Sequence, residues 1–266
     1  MFTISDRVIR NIIVPCDHGP MIINRFDLGY DGVSVGNFLL EHANNNTVEA
    51  DVAFRALYGV ENPIVFDVGA NIGTFATWVA TAIEKSNGKL YCFEPQRLIH
   101  QMLCGNMAMN NIFNVYTYEL ALGNEEKYIE IDDIVYNKPG SFGSVTLTDI
   151  DMSTTYKTDP TKKQRIKMTT IDNFVLEHQL PKVDYIKVDA EGLDIEVLDG
   201  AKDTIAKYSP DLFVEFLNLG SSRTGDTRYE GKDRLEAYLK NLGYTVVLVN
   251  HDLFASKRPG IITNNT

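Results

Sequence analysis

Two spacings of hydrophobic residues alternate along the chain from residue 62 onward. Short apolar runs predict buried strands, and apolar positions that recur every three or four residues predict the helices between them. This alternation favours an α/β fold in which a mostly parallel sheet is covered by helices on both faces. The predicted core strands are residues 65–68, 89–93, 114–118, 183–188 and 212–217.

The last predicted elements bring the sheet to about seven strands. Residues 244–249 and the segment around Leu253 predict a final hairpin. Residues 1–61 predict an N-terminal extension or cap of short strands and helices, and Asn62-Pro63 marks its boundary with a core domain that spans residues 62–266. Three further short strands are predicted around a long polar loop, at 128–131, 144–147 and 165–169. A short helix capped by Asp172 and a helix after Gly192 complete the expected order.

Charge narrows the range of partners. The formal net charge is -11 and the isoelectric point is near 4.9. An acidic chain is a poor ligand for nucleic acid or an anionic membrane. The compact basic patch is interpreted as a solvated strand edge. Its members are Lys162, Lys163, Arg165 and Lys167. We therefore expect no nucleic acid and no membrane as partner.

The cysteines and the N-terminus indicate a compartment. Cys16, Cys92 and Cys104 are too few and too scattered for a disulfide framework or a zinc site. Charged residues interrupt the N-terminal apolar stretch, which therefore lacks the core of a signal peptide. We expect a cytoplasmic protein.

The first predicted strand ends in a glycine-rich turn, VFDVGANIGTF at 65–75. Gly69 and Gly73 have no Cβ, so the backbone can adopt positive φ and a ligand can approach it closely. The N-terminus of the next helix favours an anionic group. Asp67 at the strand tip instead attracts an ammonium or sulfonium group and repels a pyrophosphate. The turn therefore predicts a zwitterionic ligand.

A dinucleotide fingerprint is incomplete at this turn. When Gly69 is aligned with the first glycine of G-x-G-x-x-G, Asn71 and Thr74 occupy the other two positions. An NAD-dependent reductase on a degenerate fingerprint remains an alternative. A noncatalytic cofactor-binding protein is a further alternative.

Acidic residues also end two other predicted strands. Glu94, in CFEP, can accept hydrogen bonds from both hydroxyls of a ribose. In YIKVDAEG at 185–192, period-two alternation places Lys187 and Asp189 on one face, and Glu191 follows. A charged pair on a central strand is costly unless it faces a polar site. The alternative is a structural Lys–Asp pair with Glu191 interacting with the dipole of the next helix.

Several motifs in a fixed order resemble the FkbM-type methyltransferases. They are DVGANIGTF, FEP, the spacing of Asn106 and Asn110, LALGN at 120–124, TID at 170–172, IKVDAEGLDIEVLDGA at 186–201 and PDLFVEF at 210–216. The resemblance implies a Rossmann-like class I methyltransferase fold that uses S-adenosylmethionine. It also implies O-methylation of a hydroxyl on a sugar, glycan or natural-product small molecule.

The resemblance carries a cofactor site over by position. The residues that it implies around the methionine part of S-adenosylmethionine are Asp67, Gly69, Ala70, Asn71 and Gly73. Glu94 is expected at the ribose, and Glu119 with Ala121 near the adenine.

The resemblance also places the catalytic residues. Asp189, Glu191 and Lys187 are expected beside the methyl group and the acceptor, with one of the two carboxylates as general base. Alternatively, these carboxylates bind a divalent cation that lowers the pKa of the acceptor hydroxyl. Acceptor contacts are expected from three irregular segments: residues 29–37, 137–144 and 218–229.

Overall fold

The extension begins with a hairpin and two helices. The structure is a computed structural model that describes residues 10–29, 34–148, 155–216 and 228–262, without the side chains of 228–230. Strands β1 (Asn11–Val14) and β2 (Met21–Asn24) pair antiparallel, and helices α1 (Val35–His42) and α2 (Thr47–Leu57) follow. The alanines of α2 are buried against α3, the helix after the glycine-rich turn.

The remaining elements alternate between strand and helix, as predicted. In chain order they are β3 (Ile64–Val68), α3 (Thr74–Ile83), β4 (Lys89–Phe93), α4 (Arg97–Met109), β5 (Val115–Tyr118), β6 (Ala121–Leu122), β7 (Lys127–Ile134), β8 (Thr158–Thr169), α5 (Ile171–Glu177), β9 (Tyr185–Val188), α6 (Asp194–Asp199), α7 (Lys202–Tyr208), β10 (Asp211–Glu215), α8 (Arg228–Asn241), β11 (Thr245–Val249) and β12 (Asp252–Ser256). The 3₁₀ turn Glu84–Ser86 extends α3.

The central sheet has seven strands in the order β11-β12-β10-β9-β3-β4-β5. All neighbouring pairs are parallel except those made by β12, which is antiparallel to β10 and β11. The expected Rossmann-like sheet of about seven mostly parallel strands is therefore confirmed. The strands β3, β4 and β5 follow one another toward one edge of the sheet, and the chain then places β9 on the other side of β3. The resulting switch point between β3 and β9 is where open α/β sheets bind ligands.

The central strands are apolar because both faces of the sheet are covered. All five residues of β3 are buried. Phe66 and Val68 pack in the cluster under α5, α6 and α8, while Val65 packs on the opposite face with α2 and α3. Burial on both faces produces the continuous apolar runs that predicted these strands.

The polar segment after β5 folds differently from the prediction. The strand predicted at 144–147 is wrong, because those residues are irregular. Strands β6, β8 and β7 form a separate three-stranded sheet, and β7 and β8 are longer than predicted. The segment 140–147 instead lies beside the carboxyl ends of the central strands, where Gly140 pairs with Asp27.

Two helix predictions also need correction. Thr170, not Asp172, caps α5, because its hydroxyl accepts a hydrogen bond from the backbone N–H of Asn173. The Asp172 carboxylate accepts from the N–H groups of Asp203 and Thr204 and so caps α7. The helix predicted after Gly192 is divided between α6 and α7.

The N-terminal elements are hydrogen-bonded to the core. The Asn106 side chain accepts from Ile22 N at 2.6 Å and donates to Ile72 O at 2.8 Å, which joins β2 to the loop before α3. The division at residue 62 stays a prediction. Among the described residues, no helix combines the length and the apolar character that crossing a bilayer requires.

Candidate functional site

A cavity of about 460 Å³ opens at the carboxyl ends of β3, β4, β9 and β10. This is the switch point of the sheet order. The cavity wall includes most of the site residues expected from the sequence: Gly69, Asn71, Glu94, Ala121, Lys187, Asp189 and Glu191. Four other expected residues do not line it: Asp67, Ala70, Gly73 and Glu119.

Gly69 is required by the close approach of two strand ends. Its φ is +78°, and a Cβ there would lie 1.8 Å from the carbonyl oxygen of Asp189. The N–H groups of Gly69 and Ala70 both donate to Phe93 O at 3.0 Å. The turn is therefore held between the ends of β4 and β9, and the Asp189 backbone occupies the space that a side chain would need.

Gly73 and Ala70 pack against buried side chains on the side of the turn that faces the protein interior. A Cβ on Gly73 would meet the side chains of Leu103 and Met107 at 2.6 and 2.8 Å. Ala70 is buried among the α2 and α3 side chains. Both residues therefore shape the turn by packing. Glu119 is exposed and lies outside the cavity, whereas its neighbours Leu120, Ala121 and Leu122 line an apolar strip of the wall.

Glu94 is buried at the tip of β4 and bridges two turns. One carboxylate oxygen accepts from Asn71 N at 3.0 Å, and the other accepts from Gln96 N at 2.8 Å. Burial raises the pKa of Glu94 to about 7, and the Asp189 and Asp67 carboxylates add to the rise although both backbone bonds oppose it. Each oxygen of a carboxylate has two acceptor sites, so Glu94 retains capacity toward the cavity.

Gln96 is a site residue that the sequence interpretation missed. Its side chain donates to Phe142 O at 2.9 Å and accepts from the Tyr136 hydroxyl at 3.0 Å. These bonds attach the loop around residue 142 beside Glu94. The available signal was its position directly after FEP, where the chain leaves β4 at the ligand-binding edge.

Asp67 faces a lysine instead of the cavity. It is fully buried, and its Oδ1 lies 3.7 Å from Lys187 Nζ. Among the described residues, neither of its oxygens has a hydrogen-bond donor within bonding distance. Burial raises the pKa of Asp67 to about 6, although Lys187 opposes the rise. The parallel register places Asp67 opposite Lys187, which explains the contact.

Lys187 supplies positive charge to two carboxylates. Besides Asp67, it donates to Asp189 Oδ2 at 3.0 Å. Burial alone would lower the pKa of Lys187, but Asp189 and Asp67 raise it above its ordinary value. The amine therefore stays protonated and cannot act as a base. The prediction that Lys187 and Asp189 share a face is confirmed.

Asp189, Glu191 and Glu215 form a cluster of three carboxyl groups at the cavity. One oxygen from each lies within 4.8 Å of the other two. Burial alone would raise the pKa of Asp189, but Lys187 and a hydrogen bond with Glu215 together lower it. Asp189 in turn is the largest cause that raises the pKa of Glu215 well above its usual range. The two carboxyls share a hydrogen bond, so the proton lies on Glu215.

Glu191 has a different environment from Asp189. Burial raises the pKa of Glu191 to about 8, and Asp189 and Asp194 add to the rise. Its backbone is in the left-handed region with φ +49°, which is uncommon for a residue with a side chain. Such strain is concentrated at functional sites. The cluster thus holds one ionised carboxylate and a second that titrates near neutral pH.

The cluster also contains the donor atoms that a hard divalent cation prefers. Among the described residues it is the one group of three such side chains found close enough together to share an ion. Lys187 already gives this cluster one cationic neighbour.

The rest of the cavity wall includes residues from distant parts of the chain. Two of the three segments expected at the acceptor contribute: Ser34 and Val35 from the first, and Ser141, Gly143 and Ser144 from the second. The third, 218–229, lies almost entirely outside the described residues. Glu49 of α2 and Asp252 of β12 were not predicted. No local pattern identifies them, since tertiary packing alone brings them to the cavity.

A family model described as the methyltransferase FkbM domain matches residues 67–246. The match begins at Asp67 and includes the glycine-rich turn, Glu94 and the three-carboxyl cluster. It therefore covers the greater part of the chain and most of the cavity wall.

Two curated relatives are fungal methyltransferases. Methyltransferase 1 of Beauveria bassiana is 24% identical over 185 residues, which are 65% of this chain and 72% of the relative. Methyltransferase sdnD of Sordaria araneosa is 22% identical over 208 residues, which are 70% of this chain and 74% of the relative. A crystal structure of methyltransferase FkbM from Methylobacillus flagellatus KT is 17% identical with a TM-score of 0.47, covering 76% of this chain and 47% of that one. The chain thus spans about half the length of that structure.

Proposed function

The chain belongs to the FkbM family of S-adenosylmethionine-dependent methyltransferases, and we propose that it methylates a hydroxyl oxygen of a small molecule. The observation that carries the proposal is the placement of the three carboxyl groups beside the glycine-rich turn, in one cavity. The volume of that cavity is within the range of about 300–1,000 Å³ that small-molecule sites occupy.

The cavity fits the charge of the donor. Its lining carries six carboxyl groups, from Glu49, Glu94, Asp189, Glu191, Glu215 and Asp252, and one lysine. When bound, S-adenosylmethionine supplies an electrophilic methyl group on a positively charged sulfur. An acidic wall favours such a cation, and repels the pyrophosphate of a dinucleotide. Membership of the family and this charge both disfavour the reductase alternative.

The donor-binding residues in this proposal are Gly69, Asn71, Glu94 and Ala121. Glu94 retains acceptor capacity for ribose hydroxyls, and Ala121 belongs to the apolar strip beside it, which suits an adenine ring. Asp67 takes a different role from the one expected from the sequence. It orients Lys187 and contributes no wall surface.

Glu191 is the proposed general base. Asp189 is held ionised by Lys187 and accepts a hydrogen bond from protonated Glu215, so it is a weak base. Glu191, whose pKa is raised to about 8, binds a proton more strongly once it is ionised. A base positioned in this way typically contributes about 10²- to 10⁴-fold to a rate.

Activation by a divalent cation on Asp189, Glu191 and Glu215 is the competing proposal. A cation there would lower the pKa of the acceptor hydroxyl directly. Chelation distinguishes the two proposals, because catalysis by Glu191 as general base predicts full activity in EDTA. Loss of activity that Mg²⁺ restores would replace Glu191 by the cation as the activating group.

The surface charge of the protein also bears on the class of acceptor. Two lysines of the basic patch on β8 are paired, Lys162 with Asp159 at 2.9 Å and Lys163 with Asp132, and Arg165 lies over the Tyr128 ring. The absence of a nucleic-acid partner therefore stays a prediction, as does the cytoplasmic location. A sugar or another small natural product with a free hydroxyl is the proposed acceptor.

Labelled methyl transfer tests the proposal. The protein is incubated with an extract of the host and S-adenosylmethionine that carries an isotopic methyl label, and labelled products are identified by mass spectrometry. The expected product carries the label on an oxygen, and its yield falls in a Glu191→Gln variant. Label on nitrogen or carbon would contradict O-methylation. Cofactor binding without labelled product in the extract or in a broad panel of hydroxyl compounds would indicate a noncatalytic binding protein.

A further inference from the structure

A second acidic surface lies in the cavity beside the three-carboxyl cluster. It is formed by Glu49, Glu215 and Asp252, and we call it the acidic face. Glu215 ends β10, and Asp252 begins the antiparallel strand β12 directly opposite it in register. The acidic face adjoins the donor-binding side of the cavity. One Glu215 oxygen lies within 4.8 Å of oxygens of Asp189 and Glu191. Asn46, which donates to Glu49, accepts from the Thr74 hydroxyl at the end of the glycine-rich turn.

In the described part of the chain this face has no ion-paired cation, although Lys187 acts on Glu215 and Asp252 from a greater distance. None of its three carboxyls forms an ion pair there, although ion pairs involve many other acids of the protein. Lys187 is already held between Asp67 and Asp189. Glu49 accepts a hydrogen bond from the Asn46 side chain at 3.3 Å.

Glu215 gives an independent indication of a missing ligand. Its Oε2 atom is buried and receives no N–H or hydroxyl hydrogen bond from the described residues. Its polar neighbours in the cluster are carboxyls. A buried acceptor without a donor is costly, and native proteins ordinarily satisfy such atoms with protein, water or a ligand. Because Glu215 lines the cavity, a ligand in the cavity can reach it.

We propose that the acceptor carries a protonated amino group, which binds at the acidic face while the hydroxyl to be methylated lies near Glu191. This inference rests on the proposed function and specifies its substrate class as an amino alcohol, an amino sugar or an aminoalkyl phenol. An ammonium group has three donors and one positive charge, whereas the described residues give this face no ion pair and give Glu215 Oε2 no donor.

Titration of the face agrees with a cationic ligand. Burial raises the pKa of Asp252 to about 7, and Glu49 is the next largest cause. The pKa of Glu215 is also raised, first by Asp189. Carboxyls that repel one another in this way gain most from a nearby cation, which restores their ionised forms.

Matched pairs of probes test the inference. Protein saturated with S-adenosylhomocysteine is titrated by calorimetry with tyramine and 4-ethylphenol, and with glucosamine and glucose. Each pair differs in its amine. In the wild type, the amine should bind about tenfold or more tightly than its neutral partner, because charge-assisted hydrogen bonds are the strong ones.

Two variants show whether the acidic face is responsible. The double variant Glu49→Gln/Asp252→Asn should reduce the preference for the amine to about onefold while it still binds S-adenosylhomocysteine. Asp51→Asn is the matched control, because Asp51 lies on the same helix α2 but is 56% exposed and pairs with Arg55. The control should retain the full preference.

The outcomes separate this inference from the proposed function. Failure of the wild type to bind S-adenosylhomocysteine would contradict the proposed function. Binding of S-adenosylhomocysteine with no preference for either amine, or with no binding of any probe, would overturn the inference alone. A preference that the double variant retains would also overturn it. Binding of Mg²⁺ without binding of amines would assign the face to a divalent cation and would overturn the inference as well.

Discussion

The Lys187 ammonium group lies between a carboxylate in the core of the protein and a carboxylate at the cavity. This group contacts Asp67 on the buried side and Asp189 on the cavity side, and only 4% of the residue is exposed. Replacing a buried cation leaves uncompensated carboxylates behind. Lys187 is therefore a positioning residue that keeps Asp189 ionised and aligned.

We predict that Lys187→Met lowers the free energy of unfolding by about 3–5 kcal/mol at pH 8. In the variant, the folded-state pKa of Asp67 rises further and that of Asp189 rises above its unfolded value. Stability is then lost as pH rises and is regained at low pH, where both carboxyls are protonated. The loss should thus be smaller at pH 5. Urea denaturation at the two pH values measures it.

Lys202→Met provides the control for this prediction. Lys202 pairs with Asp199 at 2.8 Å, but its side chain is 60% exposed. Its loss should cost no more than about 1 kcal/mol at either pH. Equal losses in the two variants, or a loss in Lys187→Met that does not depend on pH, would show that Lys187 does not compensate buried charge.

The role of Glu191 predicts a pH profile. A base works in its ionised form, so the single-turnover rate of methyl transfer should rise with pH through about 8, the raised pKa of Glu191. Glu191→Gln should lower the rate by about 10²- to 10⁴-fold and abolish this rise. Asp51→Asn should leave the profile unchanged. A variant that retains the rise would assign the titration to another group.

Asp67 shows the limit of sequence reasoning at the scale of one residue. The sequence correctly placed it at a strand tip near the ligand edge, and alternation correctly paired Lys187 with Asp189. The depth of a side chain at a strand end depends on its neighbour across the sheet, which one strand's sequence does not specify. The register that places Asp67 opposite Lys187 therefore could not be predicted.

At the scale of elements, the turn after β3 holds two strands and one helix together. Gly69 has φ +78°, and its missing Cβ leaves room for the Asp189 carbonyl. We predict that Gly69→Ala costs about 3 kcal/mol or more, because β3 and β9 must separate as well as adopt a strained φ.

Gly59 separates these two effects. Its φ is +75°, yet a Cβ there would meet no atom within 4 Å. Gly59→Ala should therefore cost only the conformational part, about 1–2 kcal/mol. Thermal unfolding of the two variants measures the difference. Equal destabilisation would mean that the contact with Asp189 is unimportant.

Asp27 joins three segments that border the cavity. Its carboxylate accepts from Phe142 N at 3.0 Å and Gly36 N at 2.8 Å, and its carbonyl accepts from the Ser34 hydroxyl at 2.7 Å. Burial raises the pKa of Asp27 to about 6, although these N–H bonds oppose the rise. The loop around Phe142 and the start of α1 thus depend on one side chain.

Asp27→Asn should loosen both segments. An amide offers one acceptor oxygen where the carboxylate offers two, so one backbone N–H loses its partner at a cost of about 1.5–3 kcal/mol. Hydrogen exchange should become faster in residues 34–42 and 140–147 and stay unchanged in β3. Glu41→Gln, on the exposed face of α1, is the control. Unchanged exchange at 140–147 would contradict the role of Asp27.

The elements were predictable where burial determined them. The five parallel core strands follow from apolar runs that both faces of the sheet require. The segment 144–147 alternates like a strand, but Ser144, Val145 and Leu147 all line the cavity. Val145 also packs in the cluster with β2 and α1, and Leu147 packs against β6 and β8. An alternation of polar and apolar residues therefore does not distinguish a strand from such a loop.

At the scale of the whole molecule, the N-terminal extension contributes to the site. Glu49 of α2 and Ser34 before α1 line the same cavity as the core residues. The sequence could predict the edge of the sheet at which a ligand binds, because parallel strands end together there. It could not predict Glu49 or Asp252, since both reach the cavity through contacts between distant parts of the chain.

The central claim is that this cavity binds the S-adenosyl donor through Glu94. Calorimetric titration with S-adenosylhomocysteine and with NADH tests it most directly. We predict one site for S-adenosylhomocysteine, no binding of NADH, and a loss of about tenfold or more in affinity for Glu94→Gln, since a charge-assisted hydrogen bond is weakened. The exposed Glu84→Gln should bind as the wild type does. Tight binding of NADH without binding of S-adenosylhomocysteine, or unchanged affinity in Glu94→Gln, would contradict the claim.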